Sequence, residues 1–319
     1  MMQRAVAALA ASLLLAVSLT PTDSAAHALP AATSALTVPP PVSVSAVTNN
    51  LVTTYAGGST VVEDSLYSPT LDIHTSYRVM LPPGYDASTE RYPTLYMLHG
   101  VAGDSSEWQS IGILEAADAM IQRGEIEPMI IVLPNGGAHY WVNQASGARW
   151  ADYVVDDVVR QIDSEYRTVA SPTARAIGGL SMGGEGALRI ALTNPQVFSI
   201  AAAHSPSLRT EFDQFAPELY PIFGDEQTWR TMTPLWLVVD TDTAYELKIA
   251  VDVGEDDPWR PNVELFHQRM VDRGIAHRFE ILPGEHAAEY WIENVGYYVQ
   301  FYAESLSANA HLNVAADAF

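Results

Sequence analysis

Gly179-Leu180-Ser181-Met182-Gly183 sets a serine between two glycines at the spacing of a nucleophile elbow, a sharp turn leading from a strand into a helix. Such a turn forces the serine into strained backbone angles, and small residues on either side leave room where strand and helix nearly collide. The helix start also aims backbone N–H groups at the reacting centre. The context fits, because Ala174–Ile177 reads as a strand and Met182–Leu192 as a helix that stops at Asn194-Pro195. The alternative is a glycine-rich structural turn.

A serine hydroxyl is a weak nucleophile and needs a base, which in turn needs an orienting acid. In a strand–elbow–helix setting the chain order is Ser, then Asp or Glu, then His. Of the histidines in the last third of the chain, His267 lies in a helical stretch, His277 opens a strand, and His311 falls in a polar tail. His286 follows the strand Phe279–Leu282 through a Pro283-Gly284 turn, on a loop just before the last helix, where a base can swing over a sheet edge. For the acid, the loop Gly254-Glu255-Asp256-Asp257-Pro258 follows the strand Lys248–Val253. Asp257, held by Pro258, is the first choice and Asp256 the alternative, unless the cluster is only a solvated loop.

Acyl transfer creates an oxyanion that needs preorganised N–H donors. The Met182 amide, directly after the nucleophile, is one expected donor. The loop His99-Gly100-Val101-Ala102-Gly103 supplies the other, through the Val101 amide, with His99 bracing the loop by a hydrogen bond. Tyr140, Trp141 and Trp291 are candidates for substrate binding, with Trp108 and Trp150 also near the expected site. Their rings could stack on a sugar or aromatic acyl group, or could equally pack in the core. No metal site is expected. There is no H-E-x-x-H, and Asp252, Asp256, Asp257, Asn262 and Glu264 match no calcium-loop spacing. No cofactor is expected either, since Gly183-Gly184-Glu185-Gly186 is not a dinucleotide fingerprint.

These residues need a scaffold, and the pattern supplies one. Short apolar runs at Thr94–Leu98, Met129–Leu133, Ile200–Ala203 and Lys248–Val253 alternate with helical patterns at Gly112–Arg123, Asp152–Tyr166 and Tyr290 to about Leu306. Thr60–Val62 and Ser76–Leu81 read as earlier strands. The expected fold is α/β, a mainly parallel central sheet with helices on both faces.

Of the 319 residues, 48% are hydrophobic and 17% charged, which is globular composition. Sixteen basic residues against 38 acidic ones give a net charge of −22, a poor match to nucleic acid or anionic lipid. The lack of cysteine excludes disulfides, thiolate metal sites and a cysteine nucleophile. Residues 1–28 read as a secretory signal peptide. An apolar run spans Ala5–Leu19, too short for a membrane helix, and Ala26-His27-Ala28 is a small-x-small cleavage site. Residues 29–50, rich in Pro, Ala, Ser and Thr, read as a linker, and residues 51–319 as one domain.

The chain resembles the Putative esterase family of α/β-hydrolases, which takes in S-formylglutathione hydrolases, feruloyl and acetyl-xylan esterases, enterochelin esterases and mycolyltransferases. The resemblance covers about residues 55–306. It rests on Tyr77–Tyr85 (YRVMLPPGY), Pro93–Gly100 (PTLYMLHG) with Trp108, Gly179–Gly184 (GLSMGG), Gly254-x-x-Asp257, and Pro283–His286 (PGEH) with Trp291. It implies the α/β-hydrolase fold, with Ser181 as nucleophile, His286 as base, Asp257 as acid, and the Val101 and Met182 amides as the oxyanion hole. Two departures bear on substrate. Glu185 stands where S-formylglutathione hydrolases tend to carry histidine, and the His99-Gly100 pair is one that mycolyltransferases usually lack. The expected function is a secreted serine esterase acting on a small-molecule or polysaccharide-linked ester, with carbohydrate-linked or aromatic acyl groups in view. Acyl transfer to a sugar or lipid alcohol is the alternative, and a non-catalytic binding protein a third.

Overall fold

Thr94–Leu98 and Ile130–Pro134 are mostly apolar and are buried from end to end, the pattern of strands covered on both faces. They lie near the middle of a nine-stranded sheet in the computed structural model, which describes residues 50–212 and 219–316. The strands are β1 (Asn50–Thr54), β2 (Thr60–Ser68), β3 (Ile73–Leu81), β4 (Thr94–Leu98), β5 (Ile130–Pro134), β6 (Arg175–Leu180), β7 (Ile200–His204), β8 (Lys248–Gly254) and β9 (His277–Leu282). Their order is β1-β2-β3-β5-β4-β6-β7-β8-β9. The first three strands and the β3–β5 junction are antiparallel, and all pairings from β5 to β9 are parallel. The fold is the mainly parallel α/β-hydrolase architecture expected from the sequence.

The helices are α1 (Glu107–Ile111), α2 (Ile113–Gln122), α3 (Trp150–Asp152), α4 (Val159–Glu165), α5 (Met182–Thr193), α6 (Tyr220–Phe223), α7 (Glu226–Arg230), α8 (Pro234–Asp240), α9 (Arg260–Asp272) and α10 (Ala288–Ala316). Successive strand residues face opposite sides, so the sheet has two cores. Leu95 and Met97 meet Trp108, Leu114, Tyr298 and Tyr302 from α1, α2 and α10. Tyr96 and Leu98 share the other core with Val158, Ile162, Leu188 and Phe266, from the α3–α4 segment, α5 and α9.

After β4 the chain crosses to β5 on one side, and β6 then adds on the other side of β4. The order therefore reverses at β4, and the loops leaving β4 and β6 open side by side at the carboxyl ends of the sheet. Crevices of this kind are where open α/β sheets bind ligands.

Several elements differ from the sequence reading. The helix expected over Asp152–Tyr166 spans Trp150–Glu165 but contains a π-helical segment, Tyr153–Val158, which periodicity alone does not register. The last helix continues to Ala316, so His311 lies on a helix. The short helices α6–α8, between β7 and β8, have too few turns to give a periodic signal. Asn50, read as the end of the linker, opens β1; the rest of the linker and the signal peptide lie outside the described residues. Among the described residues no helix is long and apolar enough to cross a membrane.

Candidate active site

Ser181 sits between β6 and α5 with φ 52° and ψ −117°, a conformation a non-glycine residue adopts only when its surroundings enforce it. The enforcement is steric. A Cβ on Gly183 would lie 2.6 Å from the His99 carbonyl oxygen and closer still to that of Leu98. One on Gly179 would lie 2.8 Å from the Leu98 oxygen and closer to the Gly183 backbone. Glycine on both sides therefore lets the elbow press against the end of β4. The Ser181 amide donates to the His204 carbonyl (3.1 Å), tying the elbow to the end of β7.

The base and acid loops are stitched together by backbone. The Glu255 amide donates to Leu282 O (2.8 Å) and the Asp256 amide to Gly284 O (2.9 Å). Gly284 takes φ 125°, which turns the chain back so that His286 faces the elbow. The result is a row of hydrogen bonds from three separate loops. His286 Nδ1 donates to Asp257 Oδ2 at 2.7 Å. Its Nε2, left as the acceptor of the neutral ring, receives the Ser181 hydroxyl at 2.9 Å. Asp257 Oδ1 accepts from the Trp259 amide (2.7 Å) and Oδ2 also accepts from the Ser205 hydroxyl. Burial alone would raise the Asp257 carboxyl, but the bonds from His286, Ser205 and the Trp259 amide outweigh it and hold the group below its ordinary value. Asp256, the alternative acid, is exposed and its amide serves the loop–loop contact.

The loop expected to hold the oxyanion leaves β4 beside the elbow. His99 Nδ1 donates to Gly100 O (2.7 Å) and its Nε2 accepts from the Gly136 amide (3.0 Å). Burial lowers the His99 imidazole, which suits this neutral ring bracing two loops. Glu107 Oε2 accepts from the Gly100 amide at 2.6 Å. Burial pushes the Glu107 carboxyl up, while the Gly100 bond pulls against that rise. The next residue, Val101, is 48% exposed, and among the described residues no protein acceptor engages its amide. Met182 opens α5 at the other side of the elbow.

The aromatic candidates are placed differently from an open stacking surface. Trp141 is 1% exposed, and its indole N–H donates to His99 O (3.1 Å), so it supports the oxyanion loop from beneath. Trp291 is 7% exposed; its N–H donates to His204 O (3.2 Å) and its ring edge meets the His286 ring at 5.1 Å. Tyr140, also buried, packs on Phe223 and lies 5.5 Å from the Arg209 guanidinium. Trp108 donates to Leu98 O (2.9 Å) and Trp150 stacks on His139. These rings are framework, because burial leaves them little free face for a ligand. Glu185 is likewise buried, paired with Arg189 and 3.6 Å from Arg209. Among the described residues no group of three or more His, Asp or Glu side chains converges as metal ligands would.

Sequence reasoning did not single out Ser205, His204 or Glu107. Ser205 and His204 carry no motif, and Glu107 meets Gly100 only because α1 folds back on the loop.

A family model described as "Putative esterase" matches residues 68–296. Among curated proteins, an esterase of Mycobacterium tuberculosis is 35% identical over 141 residues, covering 42% of this chain and 30% of that protein. The endo-1,4-beta-xylanase/feruloyl esterase of Xylanibacter ruminicola is 31% identical over 129 residues, covering 38% of this chain and 18% of that protein. The chain thus spans less than a third of the length of these relatives. Among solved structures, a ferulic acid esterase aligns with TM-score 0.70 and 26% identity over 77% of this chain and 98% of the other. An S-formylglutathione hydrolase from Agrobacterium tumefaciens aligns with TM-score 0.67 and 20% identity over 81% and 99%.

Proposed function

The chain belongs to the esterase family whose model it matches, and from that premise we propose that it is a secreted serine hydrolase of carboxylic esters working through an acyl-enzyme. The observation that carries the reading is the row Ser181 Oγ–His286 Nε2–His286 Nδ1–Asp257 Oδ2, at 2.9 and 2.7 Å, on a strained elbow beside an oxyanion loop. In the proposed cycle Ser181 Oγ attacks the ester carbonyl carbon while its proton passes to His286 Nε2. The imidazolium formed is stabilised by Asp257, which also holds Nδ1 protonated so that Nε2 is the basic nitrogen. The carbonyl oxygen, now an anion, takes the Val101 and Met182 amides. Collapse breaks the bond to the alkoxy group, which leaves as the alcohol with the proton from Nε2. Water then attacks the acyl-enzyme, gives its proton to Nε2, and the carboxylic acid leaves as Ser181 regains its hydrogen.

Carbohydrate-linked or aromatic acyl esters are the proposed substrates. Support comes from the ferulic acid esterase structure, 98% of which aligns with 77% of this chain. Secretion is supported by the apolar run Ala5–Leu19 followed by Ala26-His27-Ala28. The proposed partner is a small-molecule or polysaccharide-linked ester, since a net charge of −22 disfavours nucleic acid and anionic membranes.

The test is hydrolysis of p-nitrophenyl acetate and methyl ferulate by the wild type beside Ser181→Ala. The expected loss in kcat is about 10⁶-fold. Equal rates for the two proteins would remove Ser181 from the chemistry and the proposal with it. Product analysis with added alcohols separates hydrolysis from acyl transfer.

A further inference from the structure

β7 is buried along its length and ends at His204. The next residue, Ser205, leaves the strand at φ 52°, a left-handed conformation that costs a non-glycine residue energy and persists only where neighbours fix it. This fully buried serine is tied at both ends. Its amide donates to Asp252 O (2.9 Å), and its hydroxyl donates to Asp257 Oδ2, the oxygen that also accepts from His286 Nδ1. Two residues on, the Ser207 amide donates to Ser181 O (3.1 Å), so one short segment touches both the acid and the nucleophile.

Beneath Ser205 lies a second buried His–Asp pair. His204 Nδ1 donates to Asp252 Oδ2 (2.6 Å) and Nε2 accepts from the Tyr302 hydroxyl (2.9 Å). Asp252 Oδ1 accepts from the hydroxyls of Tyr290 (2.6 Å) and Tyr298 (3.2 Å). Burial and the Asp252 carboxylate hold all three phenols well above their ordinary value, so they remain donors. Every polar atom of the pair is used, and the His204 carbonyl accepts from both the Ser181 amide and the Trp291 indole. A buried ionisable pair is an expensive way to fill a core, but a fully bonded one fixes geometry.

We propose that Ser205 is a positioning residue for the Asp257 carboxylate, held in its left-handed conformation by the bond from its amide to the Asp252 carbonyl. The proposal rests on the reading that Asp257 orients His286. Three donors, Ser205, His286 and the Trp259 amide, stop the carboxylate from rotating, so the same oxygen always faces Nδ1. The ionisable groups around Asp257 are His286 from the β9–α10 loop, Tyr290 on α10, Asp252 on β8, His204 at the end of β7, and Glu255, Asp256 and Arg260 on its own loop and helix. Among the described residues, His286 is the one of these whose side chain bonds the carboxylate.

The test compares Ser205→Ala, Ser205→Gly and Ser181→Ala in the whole protein, measuring kcat and KM on p-nitrophenyl acetate across pH, and Tm. Both Ser205 variants are expected to keep KM and lose kcat by about tenfold, the worth of one hydrogen bond to a charged group. The acid limb of kcat/KM should move up by about half a pH unit, because one bond favouring the Asp257 anion is gone and its hold on the His286 proton strengthens. Ser205→Gly should melt above Ser205→Ala, since both lack the hydroxyl and only glycine accepts the left-handed angles, while the two lose kcat alike. A difference in stability with no difference in activity is a pattern that a merely structural serine would not produce. Wild-type kcat and an unmoved acid limb in both Ser205 variants, with Ser181→Ala inactive, overturn the positioning role and leave the triad standing. A fully active Ser181→Ala overturns both.

Discussion

Gly183→Ala is the substitution whose cost the structure sets most directly. The added methyl would stand 2.6 Å from His99 O and closer to Leu98 O. A methyl carbon rests about 3.5 Å from its neighbours, so the start of α5 must retreat from β4 by roughly 1 Å. Both opposing atoms are backbone, so no rotamer change relieves the contact, and the cost should reach the top of the overpacking range, about 3 kcal/mol. For a domain of this size that lowers Tm by about 6–10 °C. The same retreat carries the Met182 amide away from the proposed oxyanion position, and a misplacement of about 1 Å costs about 100-fold in kcat. Calorimetry and steady-state kinetics on p-nitrophenyl acetate read both effects. Gly296→Ala is the control. Nothing lies within 4 Å of a Cβ at that exposed position on α10, so it should gain about 0.5–1 kcal/mol with kcat unchanged. A Gly183→Ala protein within about 2 °C of the wild-type Tm and about threefold of its kcat would refute the claim that backbone contact forces glycine here.

Glu107→Ala removes the acceptor of the Gly100 amide and should lower kcat by about 10- to 100-fold with KM little changed, whereas Glu107→Gln, which keeps an acceptor oxygen, should retain most activity. Equal losses in the two variants would show that charge, not loop geometry, matters at Glu107. Asp257→Asn should cost about 10⁴-fold in kcat. Asp257 is held below its ordinary value of 3.8, so its contribution to stability is complete above that pH and is lost as the pH falls through its lower folded value. The urea-midpoint gap between wild type and Asp257→Asn should therefore narrow on acidification below about pH 4, and a constant gap would contradict the assignment.

The elbow was legible because its requirement is local: two glycines, a strand and a helix within twenty residues. His286 and Asp257 were legible because each sits on a loop at the carboxyl end of a parallel strand, a position the alternation of elements already marks. What could not be read were contacts between distant loops. Glu107 reaching Gly100, Ser205 reaching Asp257 and His204 pairing with Asp252 depend on how β4, β7 and β8 line up, and no spacing in the chain encodes that register. The π turn and the short helices α6–α8 escaped for a different reason, since neither produces a regular 3.6-residue period.

The tryptophans show why residue type alone misleads near a site. Trp108, Trp141 and Trp291 donate their indole N–H groups to the carbonyls of Leu98, His99 and His204, at the exits of β4 and β7. A strand's exit leaves carbonyls that the sheet no longer pairs, and where they are buried they need a protein donor. An indole suits this task because it is a donor only and brings an apolar body that excludes solvent, whereas a hydroxyl would also add an acceptor to compete with the reacting serine. Much of the aromatic richness that suggests sugar stacking in the sequence is thus consumed in bracing the loop after β4 and the His286 ring. What stays open there is Val101, an exposed apolar side chain beside the amide proposed to hold the oxyanion.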